Sequence, residues 1–338
     1  MKAKKKTRKA PRSSRRARPA QKPGIARYEI PIGERELLTS IISKKARGRT
    51  TEYPLLLASV LSTVTPGLRS LYYKSGISAG RALYDIRNSE RHYIWYEEGV
   101  SDLVSFLQNA GYKGITYNIF NDRIDIRLSR AEALDLSIPI HVFEAGLMCG
   151  FLTAARQQHV RVEEEKCICN GSQSCNFTTS NVLPLHQHGG KEVLDRFASS
   201  IKERMGAKQR MQGNFPEEYY ALSSSILLSG EYSEHMGSIV YYLGNQIGSM
   251  VYVPDQRRLR KATERLYSIL GLGSIRFISS KPMKIEIRFD RTKAKKEFVD
   301  ISIAFLKGLM KDRLKNGLSV NVSKRGGSYI ARIVESGV

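Results

Sequence analysis

Three of the chain's four cysteines fall in one stretch, VRVEEEKCICNGSQSCNF, residues 160–177. Cys167 and Cys175 flank Asn170 and Gly171, so two strands folded back at that turn bring their thiols together. A zinc ion takes about four N, S or O donors in a tetrahedron, thiolates among them. Cys169 would share a strand face with Cys167 by the two-residue period, which makes it a further candidate. His141, ahead of the hairpin, offers an imidazole nitrogen, and Glu164 a carboxylate oxygen. Spacing alone leaves two readings open: a metal site, or buried cysteines packing as small apolar groups. A redox pair is disfavoured, because Cys-x-Cys here lacks the helix N-terminus that lowers a thiol's pKa.

Such residues need elements that hold them, and the chain writes the same series of elements twice. Helical patterns begin near Glu34, after Pro54 (LLLASVLSTV) and after Pro66 (PGLRSLYYKSGISAGRALYDI), the last carrying Ser75, Gly76, Ser78, Ala79 and Gly80 where another element could approach closely. A further helix, GVSDLVSFLQNAG, ends on Gly111. Two alternating runs, GITYNIF and RIDIRLS, read as strands turned at Asn121 and Asp122. A helix starting near Pro139 then leads into the cysteine hairpin. From residue 217 the order returns: EEYYALSSSILL, a long helix with YYLGNQIGSMVY, a helix ended by Gly271, the strands SIRFISS and KIEIRFD, a helix, and a last hairpin. YYKSGISAGRALY, from Tyr72, matches YYLGNQIGSMVY, from Tyr241, and Gly150 and Gly308 both lie in the last helix of their half. An offset of about 160 residues reads as an internal duplication. The expected fold class is therefore α+β, two tandem copies of a domain of helices plus an antiparallel sheet. The boundaries are a basic arm at 1–28, a first domain at 29–183, a linker and helix at 184–213, and a second copy at 214–338 that has no cysteine.

At this point the residues resemble a known family. HVFEAGLMCGFLTAARQQHVRVEEEKCICNGSQSCNF is similar to the core of the 4-vinyl reductase domain family, related in fold to the transport-protein-particle subunits of vesicle tethering. Phe143, Glu144, Ala145, Gly146, Gly150 and Phe151 fill that family's helix pattern, and Val160, Val162, Glu164, Cys167, Gly171, Cys175 and Phe177 its hairpin pattern. The close match covers about 40 residues, and the helix and strand order covers roughly 54–179. The resemblance implies a zinc ion held by His141, Glu164, Cys167 and Cys175, with His141 standing where the family usually has cysteine. Histidine binds zinc equally well. Cys149 and Cys169 match no family ligand, and Cys149 is read as helix packing. The family also pairs as dimers, which a duplicated chain could satisfy within itself as a pseudo-dimer. It implies a small apolar or aromatic ligand as well, for which Tyr72, Tyr84, Trp95, Tyr117 and Phe143 are the candidate lining.

Charge points to a second partner. The net charge is +23, and residues 1–28 hold twelve Lys and Arg and no acid. A like-charged stretch without apolar periodicity is expected to be disordered alone. Such arms bind polyanions by releasing counterions. Lys4, Lys5, Lys6, Arg8, Lys9, Arg12, Arg15, Arg16 and Arg18 are the candidate nucleic-acid contacts. DNA and RNA are not distinguished, and the composition of the arm suits a ribonucleoprotein or a transcription complex, with protein partners, equally. No apolar run approaches the roughly 20 residues of a membrane span, no signal-peptide core is legible, and four cysteines are too few for a disulfide scaffold; a cytoplasmic chain is expected. No Ser-His-Asp order, phosphate-cradling loop or dinucleotide fingerprint stands out. The expected function is a non-enzymatic, zinc-braced binding or scaffold protein on nucleic acid; the alternative is an enzyme or accessory factor acting on a hydrophobic small molecule.

Overall fold

The computed structural model describes residues 32–46, 53–65, 67–129, 136, 139–180, 190–206, 215–225, 227, 232–250, 256–280, 282–289, 296–313, 317–325 and 328–336. The arm expected at 1–28, with all nine of its candidate contacts from Lys4 to Arg18, lies outside the described residues.

Among the described residues the chain is α+β, with ten α-helices and two four-stranded antiparallel sheets. The first half runs α1 (Ile32–Ile42), α2 (Tyr53–Val64), α3 (Leu68–Arg91), α4 (Tyr96–Asn109), β1 (Lys113–Ile119), β2 (Ile124–Ser129), α5 (Val142–Arg156), β3 (Arg161–Lys166) and β4 (Cys175–Ser180). After α6 (Gly190–Gly206) the second half runs α7 (Glu217–Ser224), α8 (Ser233–Met250), α9 (Gln256–Leu270), β5 (Ser274–Ser280), β6 (Met283–Phe289), α10 (Lys296–Leu309), β7 (Leu318–Arg325) and β8 (Ser328–Glu335). The sheets have the same order, β1-β2-β4-β3 and β5-β6-β8-β7.

Local chemistry accounts for the elements. The α4 helix turns Val100, Leu103, Phe106 and Leu107 inward at helical spacing. Just ahead of its first turn, the N–H groups of Ile94 and Trp95 donate to the Glu98 carboxylate at 3.0 and 3.2 Å, which fixes the start of the helix. Gly111, at φ +105°, ends it. On β2, Ile124, Ile126 and Leu128 are buried while Arg127 and Ser129 are exposed, the alternation of a sheet covered on one face.

The helix pair nearest the hairpin is α3 against α5, and it packs backbone to backbone. A Cβ added at Gly76 would lie 2.3 Å from the Phe143 carbonyl oxygen, one at Gly80 2.0 Å from that of Leu147, and one at Gly146 2.1 Å from that of Tyr73. The second half repeats this: a Cβ at Gly244 would meet the Phe305 carbonyl oxygen at 2.3 Å, and one at Gly308 that of Tyr241 at 2.0 Å. Gly150 and Gly308 both lie in the last helix of their half, as expected. Contact corrects one sequence pairing: Tyr241, which faces Gly308, corresponds to Tyr73, which faces Gly146, rather than to Tyr72.

The halves trade helices. The α7 helix lies against α1, α2 and α3 of the first half, while α2 touches α6, α8 and α9. Tyr219 of α7 is fully buried among Phe106, Tyr112 and Phe143, at ring-centroid distances of 6.4, 5.8 and 6.2 Å. The Tyr112 hydroxyl donates to the buried Glu144 carboxylate, which the Tyr219 hydroxyl also approaches at 3.4 Å.

Candidate metal centre

The four residues singled out as ligands converge. One donor atom from each of His141, Glu164, Cys167 and Cys175 lies within 4.8 Å of the other three. His141 Nδ1 is 2.5 Å from Glu164 Oε1 and 3.5 Å from Cys167 Sγ, and the two sulfurs are 3.9 Å apart. Cys167 and Cys175 are inaccessible, and His141 retains 2 % exposure.

Three elements position them. His141 is the residue before the first turn of α5. Its backbone N–H donates to Glu164 Oε2 at 3.0 Å, and its ring meets Phe177 at 6.3 Å between centroids. Cys175 opens β4 opposite Leu128 of β2, whose side chain points into the core. Glu164 is opposite Phe177, on the inward face of β3.

Cys167 shares that face for a less obvious reason. Residues three apart on a regular strand point to opposite faces. Between Glu164 and Lys166 the pairing with β4 slips by one residue, so β3 carries an extra residue there. That bulge restores Cys167 to the Glu164 side. The strand then stops at Lys166, and residues 168–170 form a 3₁₀ turn closed by Gly171 at φ +89°. The expectation that the strand runs on through Cys169 is corrected accordingly: no period-two face joins Cys167 to Cys169. Cys169 stays outside the donor cluster and serves it through its backbone. Its N–H donates to Cys167 Sγ at 3.4 Å, and the N–H of Ile168 to Cys175 Sγ at 3.5 Å. Asn170 Oδ1 accepts from the Cys167 N–H at 3.2 Å and fixes the turn. Sequence reasoning missed these supports; Asn170 just before Gly171 was their signal. Cys149 packs in the α5 core, with its thiol 3.0 Å from the Val160 carbonyl oxygen.

Electrostatics favour a cation at this point. Burial alone would raise the Glu164 carboxyl, yet the His141 imidazole beside it, with hydrogen bonds from His141 and the Cys167 thiol, holds it below its ordinary 4.5. The hydrogen bond between the two sulfurs pulls the Cys175 thiol down against its burial, with His141 assisting. Contacts with Cys169 and Cys175, then burial, push Cys167 up. The two thiols are thus pushed in opposite directions beside a buried carboxylate. Near the cluster, Arg69 has its basicity lowered by burial and raised by Glu164 and Glu163.

The donor set fits a divalent ion. A tetrahedral shell with bonds of about 2.0–2.3 Å holds its ligands roughly 3.3–3.8 Å apart. The sulfur–sulfur and sulfur–nitrogen gaps of 3.9 and 3.5 Å already match that spacing. The His141–Glu164 contact must open, and with all four donors within 4.8 Å of one another the rest need move little to close a shell.

The aromatic residues proposed to line a pocket do not converge in the same way. Tyr72 and Phe143 are buried against each other at 5.6 Å between ring centroids. Tyr84 packs on Tyr93 and Phe151, at 5.8 and 5.5 Å. Trp95 and Tyr117 stand on the surface, 66 % and 37 % exposed. The five therefore line no common enclosed cavity. None of the described helices is long and apolar enough to cross a membrane.

No family model matches the chain, and no curated protein matches it.

Proposed function

We propose that this chain is a non-enzymatic binding or scaffold protein whose first half is braced by one zinc ion and which associates with nucleic acid through its basic arm. The observation that carries the zinc assignment is the convergence of His141, Glu164, Cys167 and Cys175 at the junction of α5, β3 and β4. Two thiolates, an imidazole and a carboxylate are a zinc donor set. Four protein donors complete a tetrahedron and leave no position for a substrate or an activated water, so the ion's role is structural. It ties the hairpin to the start of α5 more firmly than the hydrogen bonds between His141 and Glu164 alone. The sequence resemblance to the 4-vinyl reductase domain supports the same ligands. The repeated strand order and the traded helices support a pseudo-dimer within one chain. The nucleic-acid part rests on twelve cations and no acid in residues 1–28.

One preparation tests both parts. Purified protein is analysed for zinc, and its absorbance at ~260 and ~280 nm is compared before and after a high-salt wash. One zinc per chain and salt-removable nucleic acid are expected. Cys167→Ser and Cys175→Ser should each lose the metal and lower the unfolding midpoint by on the order of 10 °C, because an incomplete shell forfeits most of the binding energy. Zinc content unchanged in both variants would sink the metal assignment. A preparation that binds no nucleic acid even at low salt would sink the other.

A further inference from the structure

The two sheets share a strand order but present different outer faces. On the second sheet the inward residues are Ile285 and Ile287 of β6 with Ala331 and Ile333 of β8, all buried. The alternate positions face away from the helices. In register across the strands, Arg276 of β5 stands beside Glu286 of β6, and Glu286 beside Arg332 of β8. Lys284 and Arg288 sit two residues either side of Glu286 on β6. Four cations thus form a cross around one carboxylate. Adjacent strands are about 4.8 Å apart and alternate residues about 6.8 Å apart along a strand, so the whole cross spans roughly 10 by 14 Å.

The central carboxylate is spent within the cross. Glu286 accepts from Arg288 at 2.8 Å and from Arg332 at 3.4 Å, and its side chain is only 9 % exposed beneath them. Arg288 and Arg332 remain 52 % and 54 % exposed, and Arg276 and Lys284 are exposed as well. The excess is three positive charges on one flat patch. The other outward positions in this register are Ser274, Ser279, Ser319, Asn321, Ser323, Arg325, Ser328, Ile330 and Val334; none carries a ring on which a base could stack, and Arg325 adds a further cation. The outer face of the first sheet differs. There Lys113, Arg127, Arg161 and Lys166 stand with two acids, Asp125 and Glu163, a smaller excess, and Arg161 is paired to Glu163 at 2.7 Å.

From this contrast we infer that the outer face of the second sheet is a second docking surface for nucleic acid, gripping the phosphodiester backbone through Arg276, Lys284, Arg288 and Arg332 without reading bases. The inference rests on the proposed nucleic-acid function and assigns it a place on the folded body, apart from the arm. Charge complementarity selects the occupant. Grouped cations on a rigid sheet suit closely spaced phosphates, and the lack of aromatic side chains removes the stacking that sequence-reading sheets use.

The test uses full-length chains and a fluorescent DNA duplex of about 20 base pairs, titrated at several salt concentrations. Four proteins are compared: wild type, the sheet variant R276Q/K284Q/R332Q, an equal-charge control K113Q/R127Q/R161Q on the first sheet, and a variant with the nine arm cations from Lys4 to Arg18 changed to Gln. The sheet variant should weaken binding about ten-fold or more near 0.1 M salt and reduce the slope of log K against log salt by about 2–3. The control should change it far less. Restoring charge with R276K/R332K should recover the affinity, since the contact needs charge rather than shape; recovery separates lost contacts from lost folding. If the sheet variant binds like the control while the arm variant fails, the sheet inference is overturned and the arm reading stands. If wild type binds no duplex at any salt, both fall. If equimolar phosphatidylglycerol–phosphatidylcholine vesicles bind through the sheet cations and duplex does not, the surface belongs to a lipid and the inference is overturned.

Discussion

Asp102 shows what a single buried charge does in this fold. It is 4 % exposed on α4 and holds Arg87 at 3.0 Å, Arg91 at 2.8 Å and the Tyr93 hydroxyl at 2.7 Å. Burial, followed by the hydrogen bond to this carboxylate, pushes the Tyr93 hydroxyl up. Asp102→Ala leaves Arg87 only the exposed Glu90 at 3.1 Å and the Tyr93 hydroxyl without its acceptor, and should cost about 1–3 kcal/mol, measured by denaturant unfolding; a loss below about 0.5 kcal/mol would show the network to be incidental. Glu164 supplies a pH prediction for metal-free protein. Its folded carboxyl is depressed, so the stability it contributes is present above the unfolded value, near 4.5, and drains away as pH falls through the lower folded value. The acid limb of the stability profile should shrink in Glu164→Gln, and an unchanged limb would contradict the His141–Glu164 pairing. The family resemblance singled out His141, 26 residues ahead of Cys167, and the thiols and the acid were legible as residue types about one turn. The bulge after Glu164 was not, since nothing in Glu-Glu-Lys states where a strand gains a residue.

Between elements the decisive contact is α3 on α5. The run of small residues in α3 was visible in the sequence; its partner was not, because close approach depends on which helices the sheet brings together. Gly76, Gly80, Gly146 and Gly150 each leave room for a carbonyl oxygen of the facing helix. Gly146→Ala would place a methyl 2.1 Å from the Tyr73 carbonyl oxygen, which only backbone movement can relieve. The expected loss is about 3 kcal/mol or more, at the upper end of overpacking costs. It should weaken metal retention too, since His141 begins the helix that must move. A Gly146→Ala protein with wild-type midpoint and zinc content would refute this. Gly237, which has nothing within 4 Å of its position for a Cβ, is the internal control, and its alanine variant should be neutral or slightly stabilising.

At the scale of the whole molecule, the repeated element order was readable because both halves spell the same series of helices and strands. The trading of α2 and α7 was not, because short apolar helices carry no mark of which core they enter. Tyr219→Ala removes a fully buried ring from among Phe106, Tyr112 and Phe143, and should cost about 3–5 kcal/mol. The loss should appear in both halves at once, as a single cooperative transition that shifts. Two separated transitions would mean that the halves are energetically independent.

That trade also imposes a timetable on synthesis. All four candidate metal ligands have been made by Cys175, but Tyr219, which completes the core around Phe143, comes 75 residues after Glu144. Between the end of β4 at Ser180 and the start of α7 at Glu217 lie 36 residues, which a ribosome takes roughly 2–7 s to add. For that interval the emerging first half has its hairpin ready to accept an ion while its aromatic core is still open to water. A metal captured then would hold β3, β4 and α5 in register until α7 arrives, and a chain translated without it would wait with Tyr112 and Phe143 uncovered. Depleting zinc during cell-free translation, and supplying it only after release, should therefore lower the soluble yield more than withholding it afterwards; equal yields would remove any role for the ion in the order of assembly.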